Sequence, residues 1–244
     1  PQLEQKMVNY NHLLFQLKQE TVLTWNQIYR QTVLELMGNL ASSDILLGEA
    51  YSEEKLLALL LKANDRVGLQ HFYLQKVILA YLFGDVELAL ENAAQAEVYL
   101  DGVAGFINVP EYHFYDSLAR LAAYPSATKE EQEEHLFYAT SNLKKLQKKA
   151  LSAPIILQHK CDLIAAEKAR VLGDIVIAME YYDCAIAGAQ ENGYIQVQAL
   201  ASELAGAFYL SIGREKNAKT YLTEARYCYQ RWGAKAKVEH LEST

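Results

Sequence analysis

Six histidines, three cysteines and 30 acidic residues give this 244-residue chain the material for acid–base, nucleophilic or metal chemistry, provided that spacing gathers them. His71, His113 and His159 each fall near the start of an expected helix, so stacked helices would align them along one edge. A metal ion needs its ligands within a few ångströms, whereas packed helices sit about 8–10 Å apart, so these histidines are expected as contact or capping residues. Cys161, Cys184 and Cys228 lie far apart without a CxxC pair. That pattern is neither a zinc site nor a disulfide framework, and it points to a reducing compartment, the cytoplasm. No GxxxxGK[ST] loop, HExxH, paired ExxH helices or GxSxG elbow occurs. Two SxxK strings, Ser52-Glu53-Glu54-Lys55 and Ser141-Asn142-Leu143-Lys144, lack the SDN and KTG elements of an acylating serine enzyme. The first reads as a helix cap and the second as an exposed helix face. One catalytic arrangement can be drawn, a pocket of His113, Asp116, His159 and Glu167. With no motif behind it, the chain is read as non-catalytic, with no cofactor and no metal.

The remaining polar residues suit recognition. The block from His113 through Tyr115 and Asp116 to Arg120 is the densest mixture of aromatic and charged side chains in any candidate helix. Such mixtures favour binding surfaces. Lys160, Asp162, Glu167 and Arg170 continue the series on the next equivalent helix, and Glu203 on the one after. These nine positions are the expected groove contacts. Lys144, Lys145, Lys148 and Lys149 read as a solvated face balancing Glu130, Glu131, Glu133 and Glu134. A net charge of −7 argues against a protein whose main task is gripping nucleic acid or an anionic membrane surface. No run approaches the roughly 18 apolar residues of a membrane helix, so neither nucleic acid nor membrane is an expected partner.

Helices must position these residues. Only 12 Gly and 4 Pro interrupt a chain that is 51% hydrophobic, which nearly excludes turn-rich β folds and leaves long segments free for helix. An internal repeat then divides the chain. Gly84-Asp85 with Ala89 recurs as Gly173-Asp174 with Ala178 and as Gly213-Arg214 with Ala218. The following positions repeat too: Ala93 and Ala96, Tyr182 and Ala185, Leu222 and Ala225. These share one helical face, and small residues there let two helix axes approach closely. Each Gly follows an apolar-periodic run, which predicts a first helix, a turn with Gly at positive φ and a second helix, with Asp85 and Asp174 able to cap. A degenerate unit fits the 89 residues between Gly84 and Gly173. It has a first helix over Tyr112–Tyr124, a turn at Pro125-Ser126-Ala127 and a second helix capped by Thr128 with Glu131, carrying Ala139, Leu143 and Leu146.

Four hairpins thus fill about 64–231. Asn9–Met37 is helical, as one long helix or a packed pair; Ser42-Ser43 begins a loop; and a short helix runs from Ser52 through Lys62. Trp232-Gly233-Ala234 breaks the last hairpin before a helix over Lys235–Leu241. The expected architecture is all-α: a right-handed α-solenoid of helical hairpins over 64–244, with residues 1–63 as an N-terminal helical cap and a C-terminal capping helix.

The spacing of Gly206, Tyr209, Ala218, Leu222 and Ala225, and of Ala166, Ala169, Ala178, Tyr182 and Ala185, resembles the tetratricopeptide (TPR) repeat, here in units longer than its usual period of about 34. More specifically, VPEYHFYDSLARLAAYPSA, QHKCDLIAAEKARVLGD, AMEYYDCAIAGAQENGYI and above all the closing RWGAKAKVEHLE are similar to the helical region of large cyanobacterial-type multidomain signalling kinases, over nearly the whole chain. In that family the region lies between a Ser/Thr kinase with an AAA-type (STAND-like) ATPase and a GAF domain with a histidine kinase. The resemblance implies an excised segment, which fits the start at Pro1, and places the catalytic residues in other domains. It implies a sensor or docking module that binds a protein, peptide or effector, or neighbouring domains of the same polypeptide. The other reading is a stand-alone TPR-like scaffold or adaptor.

Overall fold

The computed structural model describes residues 2–38 and 53–243, and among these there are twelve α-helices and no strand. The N-terminal helices are α1 (Gln2–Gln16), α2 (Glu20–Leu36) and α3 (Glu53–Ala63). Four pairs follow: α4 (Arg66–Leu82) with α5 (Val86–Val98), α6 (Asn108–Ala123) with α7 (Lys129–Ala150), α8 (Pro154–Leu172) with α9 (Ile175–Glu191), and α10 (Ile195–Ser211) with α11 (Glu215–Trp232). The chain closes with α12 (Lys235–Ser243). The long helical stretch at the N-terminus is a packed pair, broken at Lys18, whose φ of 53° ends α1. The expected loop at Ser42-Ser43 and the cap at Ser52 lie outside the described residues.

Local chemistry sets these boundaries. Gly84, Gly173 and Gly213 have φ of 83°, 81° and 72°, a left-handed conformation that costs an L side chain roughly 1–2 kcal/mol and glycine nothing. The Asp85 carboxylate accepts from the Leu88 amide at 3.1 Å and caps α5. The matching cap at Asp174 is absent: its side chain makes no bond to the first turn of α9. Thr128 and Glu131 form the reciprocal capping box at the start of α7. The first helix of the degenerate unit begins at Asn108 and not at Tyr112, because Pro110 sits in the first turn, where its missing N–H costs no helix bond.

Within each pair the repeated small positions are the contact. Ala89, Ala93 and Ala96 are wholly buried, as are Ala178, Tyr182 and Ala185 in α9 and Ala218 and Ala225 in α11. The approach is tightest at Gly206, where a Cβ would stand 2.6 Å from Leu222 Cγ. Successive pairs also pack, α5 on α6, α7 on α8 and α9 on α10, so one apolar core runs from Leu36 through Ala234.

The N-terminal pair does not simply extend that series. Asn26 donates to the Met7 carbonyl at 3.0 Å and to Asn11 Oδ1 at 2.7 Å, tying α2 to α1. The indole of Trp25 donates to Asp65 at 2.8 Å, fixing α2 at the start of α4. At its other end α2 meets α12, with Gly38 against Ala236. The first and last parts of the chain therefore touch.

Candidate binding cleft

Between α2 and the array lies a cleft of about 510 Å³. That volume falls in the range of small-ligand sites, roughly 300–1,000 Å³. Leu3 and Met7 of α1 and Thr32, Val33 and Leu36 of α2 form one wall; Leu74 and Ile78 of α4 and Tyr115 of α6 form the other. The far end is closed by Gln196 of α10 and by Trp232, Gly233 and Ala234 at the junction of α11 and α12. Gly233 turns the chain there with φ of 93° and brings Trp232 to the rim. The cleft thus draws its lining from α1 and α2, from the first helices α4, α6 and α10 of three pairs, and from the α11–α12 junction.

A polar network marks the end near α6. Asn108 Nδ2 lies 2.7 Å from His71 Nδ1, 3.0 Å from Gln70 Oε1 and 3.2 Å from the Tyr29 hydroxyl, which is itself 2.8 Å from His71 Nδ1. The Asn108 amide nitrogen can only donate, so the His71 Nδ1 beside it carries the lone pair and the ring is neutral. Burial agrees, pushing His71 down to about 4 against a weaker opposing pull from Asp65. Beside the network, Glu111 accepts from Lys160 in an ion pair. The cleft therefore offers an apolar body, two tyrosines, a tryptophan and amide groups, with its carboxylate already partnered.

Of the nine expected contacts, Tyr115 lines this cleft and Lys160 borders it through Glu111. The acids among the rest bond within or between helices. Asp116, 1% exposed, accepts from Arg120 at 2.9 Å and from Asn142 of α7 at 2.7 Å. Burial raises its pKa, and Arg120 and Asn142 pull the other way. Arg120 also covers the Tyr138 ring at 4.3 Å. Glu167, equally buried, accepts from Arg170 at 2.7 Å and from the Tyr182 hydroxyl of α9. Glu203 accepts from the Tyr229 hydroxyl of α11 at 2.6 Å and from Lys237 of α12 at 2.7 Å. Asp162 takes a bond from Gln158 at 2.8 Å. His113 Nδ1 and both nitrogens of His159 are buried without a partner, and burial pushes both histidines down to about 4.

His113, Asp116, His159 and Glu167 are not drawn into one bonded constellation; the two acids point to separate neighbours. Among the described residues no group of three or more His, Cys, Asp or Glu could hold a metal ion. Ser141 and Lys144 sit with Phe137 on the outer side of α7. Tyr29, Asn108, Glu111, Gln196 and Trp232 line the cleft without having been among the expected contacts. Helix periodicity carries a signal for Trp232 alone, at the Gly233 break; the others become neighbours only when α2 folds back.

No protein-family model and no solved structure matches the chain. A stretch of 54 residues, 22% of the chain, is 44% identical to part of hybrid signal transduction histidine kinase G of Dictyostelium discoideum. The chain spans about 2% of that protein's length. Among the described residues no helix is long and apolar enough to cross a membrane.

Proposed function

We infer that the chain is a non-catalytic sensor or docking module of a cytoplasmic multidomain signalling kinase, built as a right-handed α-solenoid of TPR-like hairpins. Its partner is a protein segment, a peptide or a small effector held in the cleft, and its output goes to neighbouring ATPase or kinase domains. The observation that carries this reading is the composition of the cleft walls. An occupant touches α1 and α2 on one side and the α11–α12 junction on the other, so binding energy is spent on contacts that join the two ends of the chain. A ligand that favours one spacing of those ends shifts the population of that state, and a module coupled to a domain at either end transmits the shift. The solenoid supplies the linkage, because each hairpin contacts its neighbours and passes on changes in their packing. The 54-residue similarity to a histidine kinase supports the signalling context.

Titration with Nile red, a neutral apolar fluorophore, tests the site. The expected result is saturable binding of one dye per chain with quenching of tryptophan emission, abolished by Ile78→Trp, which fills the cleft from α4. Binding that neither saturates nor responds to Ile78→Trp removes the cleft from the account.

A further inference from the structure

We propose that the junction of α7 and α8 is a membrane-contact surface that seats on an anionic lipid bilayer. The net charge of −7 conceals a segregation. From His135 to Cys161 the chain carries five lysines and no Asp or Glu. Lys160 is buried in its pair with Glu111; Lys144, Lys145, Lys148 and Lys149 are exposed, and none makes a salt bridge. The nearest acid on α7 is Glu134, about 15 Å away along the helix axis. That exceeds the screening length of about 8 Å at physiological salt, so the acids at the start of α7 do not neutralise its end. Asp116, which faces Lys145 from α6, is committed to Arg120 and Asn142.

The second observation is apolar. Leu151 is 86% exposed, and Ile155 and Ile156, in the first turn of α8, are 63% and 37% exposed. Three aliphatic side chains thus stand at the tip of a connector directly beyond the lysines. Charge together with exposure selects the partner: four exposed lysines beside three exposed aliphatic side chains offer one surface an anionic and an apolar contact at once. A bilayer interface accepts such a tip among its acyl chains while lysines at its rim meet phosphate and carboxylate headgroups. The surface rests on the membrane and does not span it.

Flotation with phosphatidylcholine vesicles, with and without phosphatidylserine, tests the proposal on the whole chain. Binding is expected only with phosphatidylserine and is expected to weaken at high salt. Lys148→Gln with Lys149→Gln should reduce it about 25-fold, about fivefold for each charge near the surface. Leu151→Ser with Ile155→Ser should reduce it about tenfold or more through lost apolar burial. Ile175→Ser with Val176→Ser is the control: these side chains are 45% and 68% exposed, but lie between Asp174 and Glu180, and their loss should change nothing. All six positions are exposed, so unchanged thermal melts separate lost binding from lost folding. Absence of binding to phosphatidylserine vesicles overturns the proposal, as does binding untouched by the lysine and leucine variants. Capture by soluble polyglutamate without vesicle binding overturns it as well, by making the surface one for acidic polypeptides.

Discussion

The ring of Phe83, in the turn of the first hairpin, meets the ring of His240 on the last helix edge-on, with centroids 5.6 Å apart and planes at 87°. Together with Gly38 against Ala236, this contact joins helices that the chain order places at opposite ends. Aromatic pairs of this geometry are worth about 0.5–1.5 kcal/mol beyond their burial. Phe83→Ala should therefore cost about 1–3 kcal/mol and selectively raise amide exchange in α12. Exchange that rises evenly along the chain would show that the contact does not anchor that helix.

Glu167 and Tyr182 form the polar centre of the α8–α9 pair. Glu167→Ala strands the Tyr182 hydroxyl and Arg170 in a buried site and should cost about 3–5 kcal/mol, against about 1–3 kcal/mol for Tyr182→Phe. In a double-mutant cycle followed by urea denaturation, the two changes should couple by at least about 1 kcal/mol. Simple additivity would mean that the bond contributes nothing of its own.

Close approach of α10 and α11 depends on Gly206. A Cβ there would come within 2.6–2.7 Å of the Leu222 side chain, so Gly206→Ala should destabilise by about 1–3 kcal/mol. Leu222→Ala should remove part of that penalty in the double variant, as measured by thermal melting. Gly173→Ala meets no neighbouring atom within 4 Å, so its cost, about 1–2 kcal/mol, comes from φ alone and should not respond to Leu222→Ala.

Acid should weaken the fold before the carboxylates titrate. His71, His113 and His159 are held near 4 by burial, with Lys145 and Lys149 adding to the effect at His113 and Lys160 at His159, against 6.5 for an ordinary histidine. The unfolded chain then binds more protons than the folded one between those values. Stability is full above about pH 6.5 and falls as pH drops toward 4, by on the order of 3 kcal/mol for each histidine. Urea midpoints from pH 7.5 to 5 should decline, and His159→Gln should flatten the decline. A flat profile in the parent chain would show that the rings are protonated in the folded state.

The hairpins were legible because their signals are local. Gly84, Gly173 and Gly213 end helices by backbone conformation, and the alanines from Ala89 to Ala225 mark close faces by size, whatever the rest of the chain does. The polar interior was less legible. Asp116, Glu167 and Glu203 stand out as charges on first helices, but their partners Asn142, Tyr182, Tyr229 and Lys237 belong to second helices and to α12, where periodicity registers core or surface and not pairing. The cleft was hidden for two reasons. Pro110 reads as a break between apolar blocks, which left Asn108 and Glu111 outside the helix they begin. The return of α2 across the array to α12 depends on contacts such as Trp25 with Asp65, which no helical period encodes.

If one cleft couples the two ends of the chain, hydrogen exchange with and without saturating Nile red registers the coupling at both. Helix α2 and the α11–α12 junction should gain protection together, and Ile78→Trp should remove the dye-dependent gain at both ends. Protection confined to α1 and α2, with α12 unchanged, would contradict that coupling.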